Sequence, residues 1–366
     1  MPKNTAIILS WPYFGFLLHD LPDKSTRIIN SRDTESLLVQ ILSQNSQGQK
    51  TADYIVGTDS YPGIVREYTH RGHLVELLEE RFFLKHGADL YRKYDLFDMQ
   101  FSARIPPGLV DKLKTEGKQI IGWASPQLGS KAAQADLLAH NPRTACFLPQ
   151  QVVLSDFEQL QTFKDRESLP EIDAEYLIAK PLYSSRSRMP DGSDYRVFPK
   201  SAWPQFIELA LKHPAWFAND NGLLVSELVQ TRDPFLKNNN AVLHKVHLPA
   251  GLPDALFRQW PLQCRKLSAR IEIQRIGANI CNLGDLLQFE SWEPGLLEDY
   301  REDLLALAQA LPPRPCLYSA DLMIRSDGHL AFLEFNKLAG TFLEKIYGAQ
   351  CPLGLYMENL TQMGLI

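Results

Sequence analysis

The stretch that decides the reading is Asp321-Leu322-Met323-Ile324-Arg325-Ser326-Asp327-Gly328-His329-Leu330-Ala331-Phe332-Leu333-Glu334-Phe335-Asn336. Two apolar runs flank Ser326-Asp327-Gly328, so 317–335 reads as a hairpin with its turn at those three residues. Pairing about that turn brings Asp321 close to Glu334 across the ladder. Glu334 and Asn336 are two apart and share one face of their strand, while Phe332, Leu333 and Phe335 divide between its two faces. Two carboxylates and an amide oxygen then converge, a hard-cation set suited to magnesium held partly by nucleotide phosphates. Carboxylates this close repel one another without a cation. Converting either to its amide is therefore expected to leave stability unchanged or to raise it. The plainer alternative is an edge hairpin whose polar residues face water.

Working outward, two lysines sharpen the choice. Lys180 ends the apolar strand Tyr176-Leu177-Ile178-Ala179-Lys180-Pro181, where a lysine can meet a phosphate as a point charge. Lys131 opens a short helix after Gly129-Ser130, so backbone N–H groups and a lysine can face the same anion. Either, taken alone, also reads as a surface lysine. The segment 183–193 is rich in hydroxyls and arginines and lies between two strands; it reads as a lid over phosphates or as a simple hairpin loop.

The rest of the chain supplies an α/β frame. Ala6–Leu9 reads as a first buried strand, and Tyr54–Gly57 as a strand leading into a turn at 59–63. The spacing of Leu74, Leu77, Leu78 and Phe82 predicts a helix over 73–84, and 119–123 reads as another short strand. A second lobe begins near Pro126. It carries the helix 131–140, the strand 151–154, a helix from Phe157 capped by Ser155-Asp156, the strand 195–198, the helix 203–211 and the strand 222–229. Strands over 242–248 and 270–276 and a helix over 294–311 precede the hairpin. The lobes expected are 1–125, 126–225 and 226–366.

Composition bounds the function. The 366 residues carry 38 Lys+Arg against 43 Asp+Glu, a net charge of -5, and 45% are hydrophobic. That balance excludes a bulk-basic nucleic-acid binder and gives enough apolar material for a sizeable core. No run approaches the roughly 20 apolar residues that span a bilayer. The N-terminal run lacks a cleavage site and is broken by Pro12, against a signal peptide. Five scattered cysteines without a CxxC pair read as free thiols in a reducing, cytoplasmic setting. His70 and His73 lack a third partner for a metal, and the dispersed tryptophans do not form a stacking platform.

In this order the motifs resemble the ATP-grasp superfamily over roughly Ser125 to Gly340. The similarity rests on Lys131, the strand ending at Lys180, Ser226-Glu227-Leu228-Val229 and, most specifically, Asp321 with Glu334-Phe335-Asn336. It implies an α/β (α+β) chain of three lobes, an N-terminal one followed by two that clamp ATP. It implies that Lys131 and Lys180 meet phosphates, that Glu227, Leu228 and Val229 form the hinge against adenine, and that Asp321, Glu334 and Asn336 hold Mg2+. Leu338-Ala339-Gly340-Thr341 is similar to the segment after the metal triad in D-alanine–D-alanine ligases, where an amide near Gly340 would stabilise an oxyanion. Ala339 stands where those ligases usually have proline. Gly192 is the single glycine of the 183–193 loop, so its cover over phosphate falls to Ser184, Ser185, Arg186 or Arg188. For the arginine facing the transferred phosphate, Arg275 is the first choice, with Arg265 and Arg270 competing.

The reaction implied is ATP-dependent, ADP-forming ligation of a carboxylate to an amine through an acyl phosphate, on an amino acid or peptide. A small-molecule kinase and a non-catalytic ATP-binding regulator are the alternatives. The partners implied are the two substrates, with no nucleic acid and no membrane; a homodimer is left open.

Overall fold

In the computed structural model the structure describes residues 3–9, 14–15, 17–18, 21–30, 60–100, 105–122, 128–164, 166, 169–183, 189–218, 221–231, 241–262, 264–270, 279–282, 287–292, 295, 297–337 and 352–366. Three five-stranded sheets organise them. The first is built from β1 (Asn4–Leu9), β2 (Ile28–Asn30), β3 (Leu74–Glu79), β4 (Leu96–Gln100) and β5 (Gln119–Ile121), in the order β2-β3-β1-β4-β5. Its strands are parallel except β2, which runs antiparallel to β3. Helices Ser60–His70, Glu80–Leu90 and Pro107–Thr115 connect and cover it, as a parallel sheet requires.

The second sheet, in the order β12-β8-β7-β9-β6, holds β6 (Gln151–Leu154), β7 (Tyr176–Pro181), β8 (Arg196–Pro199), β9 (Leu223–Glu227) and the two-residue β12 (Cys281–Asn282). Its core is aromatic: Phe198 stacks on Phe206 at 4.4 Å, and Trp203 and Trp216 are fully enclosed. The third sheet runs β13-β11-β10-β14-β15, from β10 (Ala241–Ala250), β11 (Cys264–Arg270), β13 (Leu287–Trp292), β14 (Cys316–Ile324) and β15 (Leu330–Lys337). All its ladders are antiparallel.

The three-lobed α+β architecture expected from the sequence is the one the chain has, with two segments lying across the expected boundaries. Leu138, in the helix Lys131–Ala139, enters the core shared by the first and third sheets, while β12 joins the second sheet. The shared core also holds Ile7 and Leu96 from the first sheet, Leu322 and Phe332 from the third, and Leu360 from the C-terminal helix Pro352–Gln362. The second core takes in Met323 and Ala331, so the hairpin is packed from both sides.

Several local expectations fail for physical reasons. Residues 74–79 are β3, and the helix begins only at Glu80. Leu77 and Leu78 are both buried because a central parallel strand is covered on two faces, which mimics helical spacing. Glu79 then caps the helix by accepting from the N–H groups of Arg81 and Phe82. Ser60–Gly63 opens a helix and is no turn, since proline is well tolerated near a helix start. The regular helix expected over 294–311 runs only from Arg301 to Ala310, after a 3-10 turn at Glu298–Tyr300. β11 (Cys264–Arg270) meets the strand expected over 270–276 only at Arg270; 271–276, like Tyr54–Gly57, lies outside the described residues.

Candidate functional site

The hairpin forms as its sequence requires. Gly328 has φ +87, a conformation glycine adopts without Cβ strain. Its N–H donates to the Arg325 carbonyl at 3.0 Å, and the His329 N–H donates to the Asp327 carboxylate at 3.0 Å. The ladder from Ile324↔Leu330 to Leu322↔Phe332 then shifts register: Asp321 pairs with Glu334, so Leu333 is an inserted bulge residue. The bulge sets Asp321 and Glu334 opposite one another, which places both carboxylates on one face.

That face carries a row of charge across β10, β14 and β15. Lys245 of β10 is in register with Asp321, and Glu334 lies beyond it on β15. On the other side Arg265 of β11 is the register partner of Lys245, and Trp292 of β13 that of Arg265. Lys245 Nζ lies 3.0 Å from Asp321 Oδ1, and Lys131 Nζ lies 3.2 Å from Glu334 Oε2. Asn336 donates from Nδ2 to Glu334 Oε1 at 3.0 Å and to Asp321 Oδ2 at 3.4 Å.

Protonation follows from this packing. Burial raises the Asp321 carboxyl to about 6, against the opposing pull of Lys245, with Glu334 adding to the rise. Burial also pushes Glu334 upward, but Lys131, the Asn336 hydrogen bond and Lys180 outweigh it and hold Glu334 below its ordinary value. Lys180 is lowered to about 8, first by burial and then by Lys131, while Glu334 and Asp321 oppose the shift. Three lysines thus face two carboxylates, an excess of positive charge among largely buried groups. Burial disfavours the charge on Asp321 while the lysines favour that on Glu334, so a stabilising amide substitution is now expected at Asp321 alone.

The donor set fits magnesium. Asp321 Oδ1 is buried, with Lys245 Nζ 3.0 Å away as its charge partner. Rotating the Asn336 amide by 180° presents an oxygen where its nitrogen now bridges the two carboxylates. Among the described residues no three His, Cys, Asp or Glu side chains are grouped to hold a metal. A cation at this site would therefore add Asn336 and ligand oxygens to the two carboxylates, the habit of magnesium at phosphates.

Of the residues singled out from sequence, Lys131, Lys180, Asp321, Glu334 and Asn336 come together. Lys131 is buried at the head of its helix; its N–H donates to the Leu182 carbonyl at 3.1 Å, and Ser130 caps the helix by accepting from Ala133 N–H. Glu227, Leu228 and Val229 lie at and beyond the end of β9. The N–H groups of Glu227 and Leu228 are taken by the carbonyls of Gln150 and Tyr176, at 2.9 and 2.8 Å. The Glu227 carboxylate accepts from Arg325 at 2.7 Å and from Gln150 N–H at 3.0 Å, tying the second sheet to the hairpin of the third. Ser184, Ser185, Arg186, Arg188, Arg275 and Gly340 lie outside the described residues. Lys245 was missed from sequence, although a lysine inside the apolar alternation Val242–Leu248 was a usable signal.

No family model matches this sequence, and no curated protein matches it. Solved structures similar to it include the D-cycloserine synthetase DcsG, at 13% identity over 99% of each chain with a TM-score of 0.49. The VanG D-Ala:D-Ser ligase from Enterococcus faecalis is 15% identical over 74% of this chain and 72% of its own, with a TM-score of 0.44. The ATP-grasp ligase PsnB, complexed with minimal precursor, is 13% identical over 69% of this chain and 67% of its own, with a TM-score of 0.40. Likeness this loose says nothing about individual residues; the row of charge is a property of this chain. Among the described residues no helix is long and apolar enough to cross a membrane.

Proposed function

We propose that this chain is an ATP-grasp enzyme that joins a carboxylate to an amine at the expense of ATP, forming ADP through an acyl phosphate. The observation that carries the reading is the cross-strand row Lys245, Asp321, Glu334, met from the second lobe by Lys180 and from the helix head by Lys131. Asp321, Glu334 and Asn336 would hold Mg2+, which when bound neutralises and orients the phosphates of ATP. Lys131, Lys180 and Lys245 hold phosphate oxygens as point charges and leave the carboxylates as ATP enters. Arg275 would face the transferred phosphate, with Arg265, whose backbone is the register partner of Lys245, competing for that role. The segment beyond Glu227, through Val229, lies against adenine, with the Glu227–Arg325 pair fixing the lobes on either side of it. Ser184, Ser185 and Arg186 cover the phosphates, and Gly340 supports the oxyanion. Lobes 126–225 and 226–366 clamp the nucleotide, and lobe 1–125 shapes the site of an amino acid or peptide.

The test is Mg2+-dependent ADP release across a panel of carboxylates crossed with amines, with mass spectrometry of the products. An amide product that disappears in Glu334→Gln supports the reading. A stable phosphoester formed without an amine, or turnover unaffected by Glu334→Gln, overturns it.

A further inference from the structure

Among the described residues β15 is the outer strand of the third sheet, with no strand paired on its far side. At Phe335 that side is closed by a side chain. Gln134, from the helix Lys131–Ala139, accepts the Phe335 N–H on Oε1 at 2.7 Å and donates from Nε2 to the Phe335 carbonyl at 3.1 Å. The same Nε2 donates to the Leu128 carbonyl at 3.0 Å, and the residue is 6% exposed. One amide thus supplies the donor and acceptor pair that an additional strand would have offered.

The position of this clamp matters for chemistry. Phe335 stands between Glu334 and Asn336, so rotation of its peptide groups would swing both side chains relative to Asp321. Three residues earlier on the same helix face, Lys131 meets Glu334 itself. A single rigid element therefore fixes the strand backbone at 335 and the charge at 334. An edge strand needs closing for stability alone, and nearer the turn Phe332 N–H is closed by the Phe147 carbonyl. At Phe335 the closing group is a side chain with both hydrogen-bonding functions, buried beside the ligand pair.

We infer that Gln134 is a positioning residue for Glu334 and Asn336, setting the spacing at which they receive a divalent cation; this rests on the reading of the site given above. The experiment measures Mn2+ affinity by electron paramagnetic resonance, with a saturating non-hydrolysable ATP analogue, in wild type, Gln134→Met, Gln134→Glu and Leu113→Ala. Amide exchange at Phe335 and ligand-free Tm are followed in parallel. Leu113 is fully buried in a core that, among the described residues, holds none of the third sheet, so its truncation reports lost stability without touching β15.

Gln134→Met should weaken Mn2+ binding about tenfold or more, as loss of an outer partner of a metal ligand does, and should speed exchange at Phe335. Gln134→Glu, which keeps an acceptor for the Phe335 N–H, should fall between; if Gln134→Met does not fold, Gln134→Glu carries the test. Leu113→Ala should lower Tm and leave Mn2+ affinity unchanged. Lower Tm with unaltered Mn2+ affinity in the Gln134 variants would refute the positioning role alone. No Mn2+ binding in wild type would overturn the reading of the site and this inference with it.

Discussion

Replacing Asp321 by asparagine should stabilise the ligand-free protein while destroying the Mg2+-dependent activity proposed for it. The carboxyl is raised to about 6 from an ordinary value of 3.8, chiefly by burial. Above pH 6 it is ionised in both folded and unfolded chains, and the folded state bears the whole penalty. As pH falls through 6 towards 3.8 the folded chain takes up the proton first, and the penalty fades. The gap of about two pH units, at about 1.4 kcal/mol each, amounts to about 3 kcal/mol at pH 7. That figure already contains the lost attraction of Lys245, which opposes the rise. The side chain is 9% exposed, so solvent screens it little. Asp321→Asn should therefore raise Tm at pH 7 by about 5 °C, with the advantage gone near pH 4. Excess Mg2+ with an ATP analogue should narrow the gap, because only the wild type gains from the cation. Thermal unfolding at intervals from pH 4 to 8 is the assay. A variant less stable than wild type at pH 7, or an advantage that persists unchanged to pH 4, would refute the reasoning.

Glu334→Gln should show the opposite sign, losing stability at pH 7, because Lys131 and Lys180 favour the charged form in the folded state; the same unfolding series checks it. Lys180→Met should weaken ATP binding and flatten stability in alkali. A lysine held at about 8 against 10.5 penalises the folded state below pH 8, so wild type gains stability as pH rises from 8 to 10.5 and the variant does not; Tm across that window decides. Arg325→Ala removes a 2.7 Å bond to the largely buried Glu227 between two lobes. It should cost about 1–3 kcal/mol and raise KM for ATP, seen in urea unfolding and initial rates. Gly122 has φ +69, and a Cβ there would stand 2.7 Å from Asp98 Oδ1 and 2.9 Å from Gln100 Nε2. Gly122→Ala should therefore destabilise by at least about 1 kcal/mol, measured as Tm.

Where periodicity and burial agreed, the chain was legible. β1, β7, β10 and the hairpin β14–β15 are apolar runs of strand length bounded by polar or turn residues, and their limits follow from that punctuation. β3 was misread because burial on both faces erases the period of two that marks a strand. Its Leu-Leu-Glu-Glu run also continues directly into a helix, leaving no turn residue at the junction. The convergence of Asp321, Glu334 and Asn336 was legible for the same reason as their strands: residues two apart share a face, and a tight turn sets the register. The sequence interval gave no sign that Leu333 is inserted by a bulge, although the bulge is what makes Asp321 and Glu334 direct partners.

By itself the sequence determined the chemistry available: two carboxylates and an amide on one hairpin, a lysine at a strand end, another at a helix head, and no excess of basic charge. Only the tertiary structure decided how those charges are compensated. Lys245 comes from 76 residues before Asp321, and Gln134 meets Phe335 across 201 residues. Neither partnership has a local signature, because ladder register and the docking of a helix on a sheet edge are fixed by burying the shared cores. That docking makes the two carboxylates unequal, one held ionised by a lysine and the other pushed towards its neutral form.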